Sequence, residues 1–299
     1  MIKVENLTKR FDDIEALDNV SIHIQKASIF GIVGTNGAGK TTLLKSIVGV
    51  YKTDRGKITI DGEDVFENVK VKSRIFYIPD NPFFFSQFNI KQMSEFYKGV
   101  FSSWNQERFD NLNKIFNLDI KKKISKFSKG MQKQAAIYLG LSTMPDILIM
   151  DEPFDGLDPV IRKRFKSLII NDVAERDMTV VISSHNLREL EDFCDHISIL
   201  HKGEVILEKD IDDLKHDINK IQVVFKEDFD INCLNEFSIL SFESRGSIKD
   251  IVIKGNKEKI VEILNRYQPV ILDILPLTLE EIFIYEMGEV GYEVQNIVN

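Results

Sequence analysis

One glycine-rich run restricts the fold of this chain more than any other feature: Gly34-Thr35-Asn36-Gly37-Ala38-Gly39-Lys40-Thr41-Thr42. It follows a mostly apolar run over 29–33 that predicts a buried strand, and it precedes an apolar-periodic segment over 43–50 that predicts a helix. A strand, a glycine-rich loop ending in Lys-Thr, and a helix are the components of a phosphate-binding P-loop, in that order. The alternative, a glycine-rich turn with a lysine there by chance, leaves the flanking strand and helix unexplained.

The residue types of this run suit the phosphates of a nucleotide. Its glycines let the backbone curl so that successive N–H groups face one concavity, and the helix N-terminus adds partial positive charge. Lys40 supplies a mobile point charge for the β- and γ-phosphates, and the Thr41 hydroxyl is placed to ligate Mg²⁺. We therefore expect the nucleotide to be bound by Gly34, Asn36, Gly37, Ala38, Gly39, Lys40, Thr41 and Thr42.

Charge and composition exclude several classes of function. The chain of 299 residues has a net charge of −8, so it lacks the basic excess that nucleic-acid binding needs. Its two cysteines, Cys194 and Cys233, are far apart and lack metal-ligand spacing, which indicates a reducing compartment and no disulfide framework. The start is too polar for a signal peptide, and no apolar run approaches the about 18 residues of a membrane span. We expect a cytoplasmic protein that reaches a membrane only through partners.

The order of the predicted elements indicates an α/β fold with two domains. Residues 2–4 and 20–24 alternate in polarity like antiparallel strands with one wet face, whereas 147–150 is a short apolar run typical of a buried parallel strand. Helical periodicity from about 83 to 145 predicts an inserted helical subdomain. A polar stretch at 215–219 suggests a boundary, so we predict a nucleotide-binding domain over 1–218 and a small α+β accessory domain over 219–299.

The second domain is predicted to mix strands and helices. Strands are expected at 222–225, 239–242, 250–253 and 270–274, with a weak helix after the first strand and a helix over 257–267. A last helix is expected to begin at Thr278 and to reach Gly288, because Glu281, three residues after Thr278, completes a capping box.

Two stretches beyond the P-loop narrow the chemistry. Asp151-Glu152 follows the buried strand at 147–150, where Asp151 can hold Mg²⁺ through water and Glu152 can polarise an attacking water as general base. Taken alone, such a pair is more often a solvated turn. The second stretch, Phe127 to Gln132, precedes a helix and offers a hydroxyl, a flexible backbone and a helix N-terminus, which together make a second anion site.

Two later stretches complete the set. Gly156-Leu157-Asp158 comes soon after the carboxylate pair, and His185 ends the next predicted strand. An imidazole there lies at the carboxyl edge of the sheet, where open α/β sheets bind ligands. A lone histidine is more often structural, but this one is where a sensor of the γ-phosphate is needed.

In this order and spacing, the motifs over residues 1–218 resemble those of the ATP-binding cassette (ABC) ATPases. The run 34–42 is similar to Walker A, 147–152 to Walker B with its catalytic Glu152, and 127–131 to the signature motif. The resemblance also implies the D-loop at Asp158, the switch histidine at His185, the Q-loop position at Asp80, and adenine stacking on Phe11. It implies a P-loop NTPase fold with an antiparallel β subdomain besides the helical one.

Three motifs depart from the family pattern. The signature reads Phe-Ser-Lys-Gly-Met in place of the usual Leu-Ser-Gly-Gly-Gln; Ser128 and Gly130 are retained, whereas Phe127, Lys129 and Met131 are changed. Asp80 stands where the family has Gln, so it could ligate Mg²⁺ but adds negative charge. Phe11 replaces the commoner Tyr and keeps the stacking face, which discriminates poorly between bases.

The resemblance implies an ATPase that works in pairs with ATP and Mg²⁺. Two ATPase domains join head to tail, as a homodimer or a heterodimer, and the signature residues Ser128, Lys129, Gly130 and Met131 cap the nucleotide of the partner. It further implies integral membrane permease subunits, which would hold the chain peripherally at the inner face of the cell membrane. The extension and the ending 277–283 look like exporter-type ATPases of the bacterial bacitracin-exporter and acetoin-utilisation group.

Several alternatives stay open at this point. The chain could be an ATP-gated clamp that moves no solute, although such proteins usually carry two cassettes or a coiled-coil insertion and a basic surface. It could also be an assembly module that barely hydrolyses ATP, against which Glu152 and His185 argue. The triplet Phe83-Phe84-Phe85 either docks a membrane subunit or belongs to the core, and the C-terminal extension either supports the dimer or regulates it.

Overall fold

The computed structural model describes residues 1–225 and 231–289, and it divides into two compact units after Glu208. The predicted division lies ten residues later. The polar stretch 215–219 that suggested it is the end of one helix and the start of a strand, both in the second unit. In the ranges described, no helix combines the length and apolarity needed to cross a bilayer.

The first unit contains strands and helices in the alternation that the sequence predicts. In chain order its strands are β1 (Ile2–Phe11), β2 (Ile14–Ile24), β3 (Ile29–Val33), β4 (Arg55–Ile60), β5 (Glu63–Asp64), β6 (Ile75–Ile78), β7 (Ile147–Asp151), β8 (Thr179–Ser184), β9 (His196–His201) and β10 (Glu204–Asp210). Its helices are α1 (Lys40–Ile47), α2 (Val69–Lys72), α3 (Ile90–Val100), α4 (Gln106–Phe116), α5 (Lys129–Ser142), α6 (Pro159–Arg176) and α7 (Leu187–Glu191).

The strands of this unit form an antiparallel sheet and a larger sheet with a parallel centre. The first has the order β2-β1-β4-β5, as the alternating polarity of its sequence predicts. The second has the order β10-β9-β3-β8-β7-β6, in which the strands from β9 to β6 run parallel. Since β3, β8 and β7 are parallel neighbours, their carboxyl ends lie together, and the P-loop, the carboxylate pair and His185 all follow from these ends.

Helices α3, α4 and α5 form the inserted subdomain. Asn89 and Gln92 close a capping box at the start of α3, and the Ser128 side chain caps α5. Every residue of α5 from Lys133 to Ser142 is buried. The ring of Tyr138 on α5 stacks on Phe109 of α4 with centroids 4.6 Å apart. The subdomain therefore packs around α5.

The second unit is a small α+β module. It contains α8 (Ile211–Asp217), β11 (Ile218–Val224), β12 (Ser238–Arg245), β13 (Ile248–Lys254), α9 (Lys257–Arg266), β14 (Ile271–Leu275) and α10 (Leu279–Glu289). Its strands pair antiparallel in the order β12-β13-β11-β14, which is the split βαβ, ferredoxin-like arrangement. The weak helix was predicted between the strands at 222–225 and 239–242, where residues 226–230 lie outside the described residues and a short 3-10 turn is formed by Ile231–Leu234. The predicted capping box of the last helix is formed by Thr278 and Glu281.

Candidate active site at the P-loop

The P-loop backbone requires glycine at two close approaches. Gly39, the residue before α1, has φ of 106°, and a Cβ there would lie 2.6 Å from the carbonyl oxygen of Ala16. A Cβ on Gly34 would lie 2.3 Å from the carbonyl oxygen of Leu200. Side chains larger than hydrogen would therefore push the loop away from β2 and β9, and the concavity at the start of α1 would open.

Lys40 is buried at the base of this loop, with a relative exposure of 6%. Its Nζ donates to the carbonyl oxygens of Gly34 and Thr35 at 2.6 and 3.3 Å. The same Nζ lies 3.1 Å from Glu152 Oε1. Two predicted site residues, the P-loop lysine and the second carboxylate, thus form an ion pair.

Asp151 is the centre of a hydroxyl network and is 1% exposed. Thr41 Oγ1 donates to Asp151 Oδ2 at 2.6 Å, and Ser183 Oγ donates to Asp151 Oδ1 at 2.6 Å. The Ser183 oxygen also accepts the backbone N–H of Glu152 at 3.1 Å. Ser183 has this position because β7 and β8 pair Asp151 with Ser183. It thereby links the Asp151 carboxylate to the backbone of Glu152, a role that the sequence did not indicate.

Glu152 has an unusual backbone for a non-glycine residue, with φ of 46°. Such left-handed conformations cost of order 1–3 kcal/mol and persist where surrounding contacts hold them. The backbone N–H and Nδ1 of His185 both contact Glu152 Oε2, at 3.2 and 2.9 Å. The predicted general base is therefore held on one side by Lys40 and on the other by His185.

The oxygen atoms beside Asp151 are suited to a divalent cation. Burial raises the pKa of the Tyr77 phenol, and the nearby charge of Asp151 and Asp80 raises it further, so that this side chain stays neutral. The hydroxyl and carboxylate oxygens of Thr41 and Asp151 are ligand types that Mg²⁺ prefers. The residues present therefore fit a Mg²⁺ ion at this edge of the sheet.

A cavity of about 450 Å³ lies over the P-loop. It is lined by Ile14, Glu15, Ala16, Thr35, Asn36, Gly37, Ala38, Gly39, Lys40, Thr41, Thr42, Asp80, Glu152, Lys202 and Gly203. Ile14 and Lys202 were not predicted; Gly203 donates its N–H to Ala38, which brings the turn between β9 and β10 to the loop. Phe11 is not among these residues, since its ring packs edge-on against Tyr51 with centroids 5.1 Å apart. Its stacking on adenine stays a prediction.

The signature residues do not line this cavity either. Ser128 Oγ caps α5 by accepting the N–H of Met131 at 3.3 Å, and Lys129 is exposed beside it. A Cβ on Gly130 would lie 2.2 Å from the carbonyl oxygen of Gly156, so the signature packs on the D-loop of its own chain. None of these four residues lines the P-loop cavity of its own chain, and their capping of a partner's nucleotide stays a prediction.

Asp158 and Asp80 have contacts that the sequence did not indicate. Asp158 is the N-cap of α6, and its Oδ1 accepts the N–H groups of Val160 and Ile161 at 3.0 Å each. Asp80 Oδ1 accepts from Lys133 Nζ at 2.9 Å. The predicted D-loop function of Asp158 and Mg²⁺ ligation by Asp80 stay predictions.

The parallel sheet, the P-loop and the carboxylate at the end of the neighbouring strand define a P-loop nucleoside triphosphatase. Comparison with known proteins narrows this class. The family model described as ABC transporter matches residues 17–155. The ABC transporter ATP-binding protein YtrB of Bacillus subtilis (strain 168) is 32% identical over 288 residues, 96% of this chain and 98% of that protein.

Two further comparisons indicate the same family. The bacitracin transport ATP-binding protein BcrA of Bacillus licheniformis is 34% identical over 78% of this chain and 80% of its own. The dimeric post-hydrolysis structure of the ATP-binding cassette MJ0796, bound to ADP and Pi, is 25% identical with a TM-score of 0.64 and covers 71% of this chain and 99% of that one.

The chain belongs to the ABC transporter family. It is an ATP-binding and ATP-hydrolysing subunit, and its hydrolysis is coupled to transport. The predicted family and fold class are thereby confirmed, and a clamp that moves no solute is not favoured. Cassettes of this family dimerise and act with membrane subunits.

Proposed function

We propose that this chain hydrolyses Mg-ATP in a site completed by a second ATPase chain, and that the cycle drives export through separate membrane subunits. One observation carries the proposal. Lys40, Thr41, Asp151 and Glu152 lie within hydrogen-bond or ion-pair distance around the P-loop cavity, whose lining contains no signature residue. The site therefore has the groups for phosphate binding and water activation, and it needs a cap from elsewhere.

Thr41 and Asp151 are the residues that would hold Mg²⁺, Thr41 directly and Asp151 through water. A Mg²⁺ ion held there would neutralise charge that develops on the phosphate oxygens. The hydrogen bond of 2.6 Å between Thr41 and Asp151 keeps both oxygens on one side of the P-loop. Asp80, which lines the same cavity, is proposed as a further, outer contact of the ion.

Lys40 and Glu152 act in sequence. Lys40 is an internal counter-charge for Glu152 at 3.1 Å, and the phosphates of ATP compete for this lysine. Once Lys40 turns to the phosphates, Glu152 is free to accept a proton from the attacking water. The contact of 2.9 Å with His185 Nδ1 keeps the Glu152 carboxylate oriented, and His185 would in turn sense the γ-phosphate.

The second chain supplies the cap. The Ser128 oxygen uses a lone pair for the N–H of Met131, which leaves its O–H free to donate to a γ-phosphate of the partner. ATP then favours the closed pair because its charge bridges both chains, and hydrolysis removes that preference. The pair is either two copies of this chain or this chain with a related one.

An exposed aromatic patch supports docking of a membrane subunit. Phe83 is 78% exposed, and Phe85 and Phe96 are also exposed, with the rings of Phe85 and Phe96 5.3 Å apart. Exposed lysines at 121–123 lie beside the chain that follows Phe85, where Asn89 forms a β-bridge with Lys123. We therefore propose an apolar helical segment of the membrane subunit, with acidic residues at its edge, as the occupant.

Alanine at residues 83–85 tests this docking. It should abolish co-purification with the membrane subunit while ATP hydrolysis and folding are kept, whereas alanine at Phe66, another exposed aromatic residue, should not. Undisturbed co-purification of the triple variant would refute the docking surface. Docked on a membrane subunit through this patch, the chain is peripheral at the cytoplasmic face of the membrane. The second unit is proposed to support the dimer.

Single-turnover hydrolysis tests the proposed site. Glu152→Gln should bind ATP, form a stable dimer with ATP trapped, and lose about 10²–10⁴-fold in the rate of phosphate release. Lys40→Ala should lose ATP binding itself. A Glu152→Gln variant that releases phosphate at the parental rate, or a chain that stays monomeric with trapped ATP, would contradict the proposal.

A further inference from the structure

Lys133 is a buried lysine next to the catalytic carboxylate that neither the motifs nor the proposed chemistry accounts for. Its side chain is 8% exposed, and it lies on the first turns of α5, five residues after Ser128. Lysine is rarely buried to this degree unless its charge is paired. Its partners therefore indicate what it does.

Those partners belong to the ends of two neighbouring strands. Lys133 Nζ donates to Asp80 Oδ1 at 2.9 Å, just after β6, and to the backbone carbonyl oxygen of Glu152 at 2.6 Å, just after β7. The other Asp80 oxygen accepts from Asn81 Nδ2 at 3.0 Å. One ammonium thus joins the signature helix to the Q-loop position and to the general base.

The contact with Glu152 is made at a strained residue. With φ of 46°, the Glu152 backbone needs its N–H and its carbonyl held in place. Ser183 holds the N–H through its carbonyl oxygen at 3.2 Å and its hydroxyl at 3.1 Å, and Lys133 holds the carbonyl. Without Lys133, one side of this clamp is lost, and the carboxylate can rotate away from the water.

The contact with Asp80 concerns charge. Asp80 lines the nucleotide cavity, where an uncompensated carboxylate repels phosphates. The Lys133 ammonium compensates the negative charge of Asp80, so an aspartate can line the nucleotide cavity without weakening ATP binding. Asp80 and Lys133 are therefore a unit in which each requires the other.

We propose that Lys133 is a positioning residue for ATP hydrolysis, which holds the strained backbone of Glu152 and neutralises Asp80. The inference rests on the proposed role of Glu152 as general base. Because Lys133 belongs to α5, it also connects the helix that caps the partner's ATP to the base that acts on the chain's own ATP.

The two functions separate in a set of variants. Lys133→Met should lower kcat about 10–100-fold, because a displaced base misaligns the attack. It should also raise the dissociation constant for Mg-ATP about tenfold, because Asp80 is left uncompensated. Adding Asp80→Asn to Lys133→Met should return ATP affinity to within about threefold of the parent, while kcat stays low. Lys126→Met removes an exposed lysine near the start of α5 and is the matched control, with parental kcat and affinity.

Rates are normalised to the fraction of chains that bind Mg-ATP, so that a loss of folded protein is not counted as a loss of kcat. Parental kcat in Lys133→Met, or recovery of kcat in the double variant, would overturn the positioning role. Failure of Asp80→Asn to restore affinity would overturn the charge role. If Lys133→Met does not fold, the shorter, neutral Lys133→Gln is measured in the same way with the same expected split. Failure of the proposed general base is distinguishable, because Glu152→Gln would then hydrolyse ATP normally.

Discussion

Replacement of Ser183 by alanine tests how the two carboxylates of the site are held together. The Ser183 hydroxyl is fully buried, donates to Asp151 Oδ1 at 2.6 Å and accepts the N–H of Glu152 at 3.1 Å. Alanine removes both contacts without adding bulk. Asp151 keeps its bond from Thr41, and the Glu152 N–H keeps the Ser183 carbonyl at 3.2 Å. The expected result is a loosened site in a folded chain.

The magnitude follows from the charged partner. A hydrogen bond to a charged group contributes about 1.5–3 kcal/mol to the free energy of unfolding. In a unit of this size, each kcal/mol lowers Tm by about 2–4 °C, so Ser183→Ala should lower Tm by about 3–12 °C. Because the Asp151 carboxylate and the Glu152 backbone each lose an anchor, kcat for ATP should fall about 10–100-fold.

Ser184→Ala is the matched control. Ser184 is the next residue of β8 and equally buried, but its hydroxyl donates to Glu189 Oε2 at 3.1 Å and accepts the N–H of Asn186 at 3.0 Å, away from the carboxylate pair. It should lose a similar amount of stability and keep kcat within about threefold. Thermal denaturation and steady-state phosphate release measure the two quantities. Parental kcat in Ser183→Ala, or equal losses of kcat in both variants, would refute the reasoning.

Two further predictions concern packing and pH. Gly140→Ala should lower the free energy of unfolding by about 1–3 kcal/mol, because its Cβ would lie 2.6 Å from the Phe76 ring. Gly99→Ala on α3 is the control: its Cβ would meet no neighbouring atom within 4 Å, so it should raise the free energy of unfolding by about 0.5–1 kcal/mol. Urea denaturation measures both, and stabilisation by Gly140→Ala would contradict this packing. Glu281→Gln should cost about 1 kcal/mol at pH 7, since the hydrogen bond from Lys220 and the capping box lower the pKa of Glu281. A lowered carboxyl pKa stabilises above the ordinary value of 4.5 and ceases to do so as the pH falls through the folded value, so parent and variant should converge in acid. A difference in stability between parent and Glu281→Gln that grows in acid would contradict this prediction.

Local sequence patterns predicted the parts of the site that lie within one element. The P-loop lies between one strand and one helix, and Asp151-Glu152 ends a strand that is apolar throughout, so spacing alone indicated both. The capping box at Thr278 was likewise predicted from residues three apart. Such features depend on neighbours in the chain, which the sequence displays directly.

Contacts between distant elements could not be predicted from local sequence patterns. Lys133 belongs to no motif that the sequence displayed, yet it contacts Asp80 and Glu152, 53 and 19 residues away. The role of Ser183 could not be predicted, because its register against β7 is a property of the sheet. The two compact units meet ten residues before the predicted division, and the polar stretch 215–219 belongs to the end of a helix and the start of a strand.

Helix α5 has a mechanical consequence. It is enclosed from Lys133 to Ser142, its Tyr138 is wedged against Phe109, and its Gly140 abuts Phe76. A helix that is packed along its length cannot shift independently, so its N-terminal end moves only when the elements packed around it move. A displacement of the aromatic patch would then be transmitted in full to the Ser128 end of α5, because the patch and the helix would move as one rigid body.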